Sequence, residues 1–183
     1  MNGLRELLTG AGPAGVYRWP IPGSTRRADV DEAAAAAGWR LYWLAGQDVT
    51  DKDEFLQMCA DTFKFPDWFG YDWDALQDSL TDLTWEDPAA GYLVVYAGWQ
   101  ALAQEEPESF GTALEIFAEA IDLWQDTDSP MAVLLPVTGT QDEPAHVPLL
   151  GHPVADRETG MQYRQRLVTP RGAATRSRSL VLR

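Results

Sequence analysis

The chain has 183 residues, 45% of them hydrophobic, which is enough for one domain with a sizeable core. Its formal net charge is −14 at pH 7: residues 1–156 hold 7 Lys or Arg against 27 Asp or Glu, whereas residues 157–183 hold 7 Arg against a single Glu. An acidic body repels nucleic acid and anionic membranes and attracts basic proteins, so we expect no nucleic-acid partner and no membrane partner. An acidic surface also serves solubility alone, and charge by itself does not separate the two interpretations.

The single cysteine and the start of the chain bear on the compartment. Cys59 has no second cysteine with which to form an intramolecular disulfide, and its apolar helical context favours a small buried hydrophobe. The first residues, MNGLRELLTG, lack the basic start and apolar run of a signal peptide, and no apolar stretch approaches the length of a membrane span. We therefore expect a cytoplasmic protein.

The N-terminal region predicts a helix, a strand and a second helix. A short helix is expected over Leu4–Leu8 and a strand over Val16–Trp19, which is ended by the prolines and glycine that follow. The run DVDEAAAAAG, residues 29–38, predicts a helix, because alanine is the best helix former and acidic residues occupy the first turn. Gly38 suits the C-terminal cap of that helix.

Three short apolar segments further along predict buried strands. They are WRLYWLA at residues 39–45, YLVVYA at 92–97 and MAVLLPV at 131–137. After the first of them, Thr50 and the acidic residues that follow it indicate the start of a helix. Together with the N-terminal strand, these segments predict a parallel sheet of three to four strands.

Helices are predicted between the second and third of these strands. A short helix is expected over residues 99–105, and Pro107 suits the first turn of a longer one. The apolar residues of the longer helix recur at helical spacing: Phe110, Leu114, Phe117, Ile121 and Trp124. The order of strands and helices predicts the α/β class, with a small parallel sheet flanked by helices.

The most informative stretch is FPDWFGYDWDALQDSLTDL, residues 65–83, in which an aromatic turn precedes a short acidic helix. Asp72 can cap this helix, and Gly70 permits a backbone angle that other residues resist. At helical spacing the apolar residues fall on one stripe and the acidic ones on another: Trp73, Leu76, Leu80 and Leu83 against Asp74, Asp78 and Asp82. Like charges four residues apart cost about 0.2–0.5 kcal/mol per pair, so a function other than helix stability is indicated.

The run PDWFG, followed by DWDAL and then DSLTDL, resembles the barstar family, small intracellular inhibitors of secreted ribonucleases. The signature of that family is an aromatic pair, Gly, a polar pair, and then an Asp-Ala-Leu helix with a second Asp one turn on. The resemblance covers roughly residues 39–137 and implies a barstar-like domain there. Residues 1–38 would form an N-terminal β-α extension, and residues 138–183 a C-terminal extension with an Arg-rich flexible tail.

The resemblance implies that the acidic helix and the loop before it enter the active site of a small basic ribonuclease. Asp78 would take the place of the scissile phosphate among the cationic catalytic groups, with Asp74 as its companion one turn earlier. Trp68 would pack on a catalytic imidazole, and Gly70 would permit a close backbone approach. Carried over in full, the implied partner-binding residues are Trp68, Gly70, Asp72, Asp74, Gln77, Asp78, Thr81 and Glu119.

Four positions depart from the family pattern. Asp72 stands where the family usually carries Asn, and Gln77 where its best-known member has Trp. Leu83 and Leu123 stand where that member has Trp and Glu. These departures leave the central carboxylates intact but alter the rim of the implied interface, so the target enzyme can differ from the familiar ones.

Enzymatic interpretations find little support in the sequence. The two histidines, His146 and His152, lie in Pro-flanked loop sequence without metal-ligand spacing, and no nucleophile elbow or Gly-rich phosphate loop is present. Asp74 and Asp78 could share a magnesium ion, although paired carboxylates on a helix are usually solvated surface. We expect no enzyme activity, no cofactor and no metal.

Three functions therefore remain open. The first is a monomeric inhibitor of the immunity or antitoxin type, whose partner is a small basic ribonuclease. The second is an immunity protein for a related toxin that is not a ribonuclease. The third is an interaction or scaffold protein, in which the extensions at both ends serve another partner.

Overall fold

The computed structural model describes residues 2–21, 24–138 and 147–150. Four strands form one all-parallel sheet in the order β1-β4-β3-β2. The strands are β1 (Val16–Pro20), β2 (Trp39–Ala45), β3 (Gly91–Ala97) and β4 (Met131–Val137). The predicted α/β class, with a small parallel sheet, is confirmed.

Helices connect the strands and cover both faces of the sheet. They are α1 (Asn2–Leu8), α2 (Arg27–Ala36), α3 (Lys52–Phe63), α4 (Trp73–Asp82), α5 (Gln100–Glu105) and α6 (Pro107–Trp124). Pro107 opens α6 in its first turn, as its fixed φ angle favours. Gly38 follows α2 with a φ of 73°, the left-handed conformation expected just beyond a helix C-terminus. None of the helices in the described ranges is long and apolar enough to cross a membrane.

Successive side chains along each strand point to opposite faces of the sheet, so the core consists of two layers. On one face of the sheet, Tyr42, Val94 and Val133 lie in a cluster with the buried sides of α3, α4 and α6. On the other face, Leu93 and Leu134 pack with apolar residues of α1 and α2. The larger layer therefore supports α4, the acidic helix.

The segments outside the resemblance join the same sheet. β1 pairs in parallel with β4, with Val16 opposite Val133. Beyond β1, the short segment 147–150 returns to the sheet: the Arg18 amide donates to the Pro148 carbonyl (2.8 Å), and the Leu150 amide donates to the Arg18 carbonyl (2.9 Å). The Arg-rich tail and both histidines lie outside the described residues.

Candidate functional site

The site begins where a loop turns into α4. Asp72 is the N-cap of α4, and its Oδ1 accepts a hydrogen bond from the backbone amide of Ala75 at 2.7 Å. The predicted cap is therefore confirmed, and it satisfies one of the amides that a helix start leaves without a partner. Because Asp72 Oδ1 already accepts this hydrogen bond, a partner would bind mainly to the other carboxylate oxygen, Oδ2.

The two stripes predicted for α4 are present. Leu76, Leu80 and Leu83 are buried in the larger core layer, with Trp73 half-buried beside them. On the opposite side Asp74, Asp78 and Asp82 are exposed or half-exposed, and we call these three residues the acidic stripe. Within the described residues, none of the three carboxylates has a hydrogen-bond or ion-pair partner. The acidic stripe is thus presented to solvent with its charges uncompensated.

Packing against α6 holds α4 in place. The indole Nε1 of Trp124, at the end of α6, donates to the Leu80 carbonyl at 2.8 Å. The Gln77 amide donates to the Glu119 carboxylate, which ties the exposed side of α4 to α6. Gln77 and Glu119, both predicted partner-binding residues, are therefore brought to one surface.

Thr81 has a more local arrangement. Its hydroxyl donates to the Asp78 carbonyl at 2.9 Å, with the Gln77 carbonyl at 3.1 Å, and the side chain is half-buried. The hydroxyl oxygen still has accepting capacity. The flanking contact assigned to Thr81 therefore stays a prediction, in which the hydroxyl would accept rather than donate.

Trp68 lies in the loop before α4 and is 64% exposed, as expected for a contact residue. Its ring meets that of Trp85 edge to face, with centroids 6.1 Å apart. Trp85 is itself fixed, because its Nε1 donates to the Phe63 carbonyl at 3.3 Å. No local pattern in the sequence predicts this support, because Trp85 is the only aromatic residue of the turn between α4 and β3.

The loop that carries Trp85 is tied to β2. Arg40, the second residue of β2, forms an ion pair with Glu86, and its Nη2 donates to the Asp87 carbonyl at 3.2 Å. Both side chains of the ion pair are largely covered, at 32% and 11% exposure. Two loops, one on either side of α4, therefore meet at the Trp68 and Trp85 rings.

The prediction for Gly70 is wrong in its physical reason. Gly70 does not adopt the left-handed conformation, and a Cβ there would meet only ordinary contacts, the nearest being Asp72 Oδ2 at 3.4 Å. The left-handed residue is Tyr71, with a φ of 52°, and its side chain is 49% exposed. The absence of a side chain at Gly70 still leaves the backbone open to a partner, which stays a prediction.

Two aromatic residues of the stretch, Phe69 and Trp73, pack against the core, and for Trp73 this agrees with its place on the predicted apolar stripe. Phe69 is 5% exposed and its ring lies 4.7 Å from that of Phe65. Trp73 packs on Phe55 at 5.9 Å between centroids, and the Lys52 ammonium lies 5.5 Å from the centre of the Trp73 ring. They anchor the loop and the first turn of α4 to the core.

The charge that this part of the chain contributes is negative, and the nearby cations come from earlier residues, Lys52 on the Trp73 ring and Arg40 in its ion pair with Glu86. From Phe65 to Thr138 the chain carries 15 Asp or Glu and no Lys, Arg or His. On α6, burial and the neighbouring Glu119 carboxylate raise the pKa of Glu115 above its ordinary value. A surface of this kind attracts cations and basic proteins over a distance and gains from contacts that neutralise it.

The residues that the structure describes provide neither an accessible cysteine nucleophile nor a cluster of metal ligands. Cys59 is fully buried, and desolvation raises the pKa of its thiol, so it is not a nucleophile. No group of three or more His, Cys, Asp or Glu side chains in that part of the chain is placed to hold a metal ion. The site is therefore an anchored, exposed acidic helix beside an exposed aromatic ring.

A family model described as "Barstar (barnase inhibitor)" matches residues 39–136, which is more than half of the chain. The match contains β2, β3, all but the last residue of β4, the helices between them and the whole acidic stripe. A search of curated proteins returned no match. Members of the matched family are inhibitors rather than enzymes.

Proposed function

Since the chain belongs to the barstar family, we propose that it inhibits a small basic ribonuclease by inserting the acidic stripe into the enzyme's active site. In this proposal the Asp78 carboxylate occupies the position of the scissile phosphate, and Asp74 meets a second cationic group one helical turn away. The inhibitor acts as a monomer in the cytoplasm, as an immunity protein or antitoxin does.

The state of Asp78 is the observation that carries this proposal. Its carboxylate is exposed and has no partner among the described residues, while the helix beneath it is buried through Leu76 and Leu80. Because the helix that carries Asp78 is already fixed, binding has to order only this one short side chain. The carboxylate also sheds no internal hydrogen bond before it meets an arginine or lysine, so charge-assisted contacts form at low cost.

The surroundings of Asp78 support the same partner. A ribonuclease must present fixed cations to a polyanionic substrate, and the region from Phe65 to Thr138 has no cation of its own to repel them. Trp68 adds an exposed ring whose position is fixed by Trp85, the kind of aromatic group that often dominates interface energies. Acidic hot spots are best known from the barnase and barstar pair, so for this chain we predict the order of the Asp variants rather than their magnitudes.

The test is a titration of the purified protein into a panel of small basic ribonucleases, with RNA cleavage as the readout. We expect stoichiometric inhibition of at least one enzyme. Asp78→Ala should weaken inhibition most and Asp74→Ala next. Asp82→Ala is the matched control, because it removes the same charge from the same stripe one turn further on and should weaken inhibition little.

Equal losses in all three variants would mean a diffuse electrostatic contact and would refute the phosphate-mimic role of Asp78. Repeating the titration at higher salt distinguishes long-range attraction from the direct contact of Asp78, since screening weakens long-range attraction more than a buried contact. Asp78→Ala should therefore remain the weakest inhibitor at every salt concentration.

A second function follows from the segments outside the family match. α1, β1, α2 and the returning segment 147–150 lie outside the matched residues, and β1 extends the sheet on the side of β4. These additions support a scaffold role, whereas the departures from the family pattern at Asp72, Gln77, Leu83 and Leu123 support an immunity protein for a toxin other than a ribonuclease. If no ribonuclease in the panel is inhibited, retention of a basic toxin by the immobilised protein, lost in Asp78→Ala, would favour the toxin alternative.

A further inference from the structure

Tyr71 is a large aromatic residue in the site loop to which the proposed function gives no role. The residue is 49% exposed, and its backbone has a φ of 52°. We infer that Tyr71 is a second aromatic contact of this surface, which stacks on the guanidinium group of an arginine of the basic partner. The inference rests on the proposed function and deepens it by naming a partner group that the family resemblance does not supply.

The backbone conformation of Tyr71 has no local structural reason. Three residues other than glycine have a positive φ in the described ranges, and two of them, Lys64 and Leu83, are the C-terminal caps of α3 and α4. The left-handed conformation is common at such caps. Tyr71 instead lies just before the N-cap of α4, where nothing comparable requires it.

Gly70 makes the conformation of Tyr71 more informative. A glycine adopts a positive φ without steric cost, yet Gly70 does not adopt it, and the bulky Tyr71 beside it does. Strain at a bulky residue persists where the surrounding structure imposes it, and such positions are concentrated at binding sites. At Tyr71 the left-handed backbone occurs at a large residue that is 49% exposed and therefore accessible to a partner.

The Tyr71 ring is also held on one side. It meets the ring of Phe69 edge to face, with centroids 4.9 Å apart, and Phe69 is itself buried. Trp68, at 64% exposure, is held in the same loop by its contact with Trp85. Tyr71 thus resembles Trp68 in being an exposed residue whose ring already packs against another ring of the protein, so a partner would contact it at a reduced ordering cost.

The chemistry of the contact follows from the charges. Asp67 and Asp72 lie on the two sides of the aromatic pair in the chain, and the region from Phe65 to Thr138 contains no cation. The face of an aromatic ring attracts cations, and arginine combines a positive charge with a planar group that stacks on such a face. An arginine of a basic enzyme fits this position better than an acidic or purely apolar group.

The experiment measures the dissociation constant and dissociation rate of the inhibited ribonuclease with a matched set of variants. Tyr71→Phe keeps the ring, whereas Tyr71→Leu keeps an apolar side chain and the cost of a positive φ but removes the aromatic face. We expect Tyr71→Phe to bind within about twofold of the parent and Tyr71→Leu to bind about tenfold more weakly, mainly through faster dissociation.

Stability measurements separate this role from packing on Phe69. Tyr71→Gly relieves the positive φ, so we expect its urea midpoint to be at or above that of the parent while its binding is weaker. Binding by Tyr71→Leu and Tyr71→Gly at parental strength would overturn the inference. Equal weakening in Tyr71→Phe and Tyr71→Leu would also overturn it, because the ring would then not be the contact.

Asp78→Ala, measured in parallel, distinguishes failure of the proposed inhibitory function from failure of the proposed Tyr71 contact. If the parent inhibits an enzyme and Asp78→Ala does not, while Tyr71→Leu inhibits normally, then only the role of Tyr71 is refuted. If the parent inhibits no enzyme of the panel, the proposed function fails and the arginine contact fails with it.

Discussion

The acidic stripe should lower the stability of the free protein, and replacing Asp78 should recover that stability. Asp78 lies in the middle of the ten-residue helix α4, with Asp74 one turn before it and Asp82 one turn after it. All three carboxylates lie on the solvent side of the helix and have no partners in the described ranges. Each like-charged pair at this spacing costs about 0.2–0.5 kcal/mol, so Asp78 takes part in two repulsions that together cost about 0.4–1 kcal/mol.

Two substitutions of Asp78 separate the effect of charge repulsion from the effect of helix propensity. Asp78→Asn removes the charge at nearly constant shape and helix propensity, so the free energy of unfolding should rise by about 0.4–1 kcal/mol. Asp78→Ala adds the better helix propensity of alanine, which brings the expected gain to about 1–1.7 kcal/mol. For a chain of this length the second gain corresponds to a rise in Tm of about 2–7 °C.

The flanking carboxylates serve as controls with different expectations. Asp82 is the last residue of α4, where the helix dipole disfavours a negative charge, so Asp82→Asn should also stabilise the protein. Asp74 lies in the first turn, where the dipole favours its charge, so Asp74→Asn should give little net change. Only Asp78→Asn should combine greater stability with a large loss of inhibition.

Urea unfolding followed by tryptophan fluorescence measures these differences, since the chain has 8 Trp and urea adds no ions. The measurements are made at low ionic strength and again in about 1 M sodium chloride, where the Debye length is about 3 Å. The gain of Asp78→Asn should shrink in high salt. A stability unchanged or lowered by Asp78→Asn at low salt, or a gain that persists in high salt, would refute the repulsion argument.

Three further predictions follow from single contacts. Asp72→Ala should lower the free energy of unfolding by about 1 kcal/mol, because it removes the N-cap bond to the Ala75 amide; Asp67→Ala, which removes an exposed carboxylate without such a bond, should not. The Cys59 thiol should resist alkylation in the folded protein and react after unfolding in urea, since burial raises its pKa; rapid labelling of the folded protein would contradict this. Glu115→Gln should stabilise the protein at neutral pH, because desolvation raises the pKa of Glu115 and the ionised form is disfavoured in the folded state. That gain should disappear as the pH falls below the ordinary value of 4.5, where Glu115 is protonated in both states; a gain that persists there in unfolding curves would exclude this cause.

The elements with strong local signals could be predicted from the sequence. The runs WRLYWLA and MAVLLPV give β2 and β4 with their boundaries, because short apolar runs bounded by turn residues leave few alternatives. The cap at Asp72 and the two stripes of α4 also follow from local chemistry and helical spacing. The association of β1 with β4 could not be derived in this way, since it depends on pairing between residues far apart in the chain.

The details of the site depend on tertiary contacts, and there the sequence is less informative. The support of Trp68 by Trp85 joins two loops separated by the whole of α4, and no local pattern encodes it. Glycine suggests that the unusual backbone angle of this loop lies at Gly70, but the positive φ is found at Tyr71. Steric preference shows which residue adopts such an angle at the lowest cost, whereas tertiary packing decides where the angle occurs. The proposed division into a domain at residues 39–137 with two extensions stays a prediction.

The stability cost of the acidic stripe explains why α4 is anchored so firmly. The helix has an N-cap at Asp72, the Trp124 indole on the Leu80 carbonyl, and three leucines buried in the larger core layer. Burying a leucine contributes about 1.5–3 kcal/mol, so these residues together exceed the repulsion within the stripe several-fold. The carboxylates can therefore remain unpaired in the free protein without unfolding the helix. In the proposed complex a basic partner would neutralise them and relieve their mutual repulsion, so the repulsion centred on Asp78 would then favour binding.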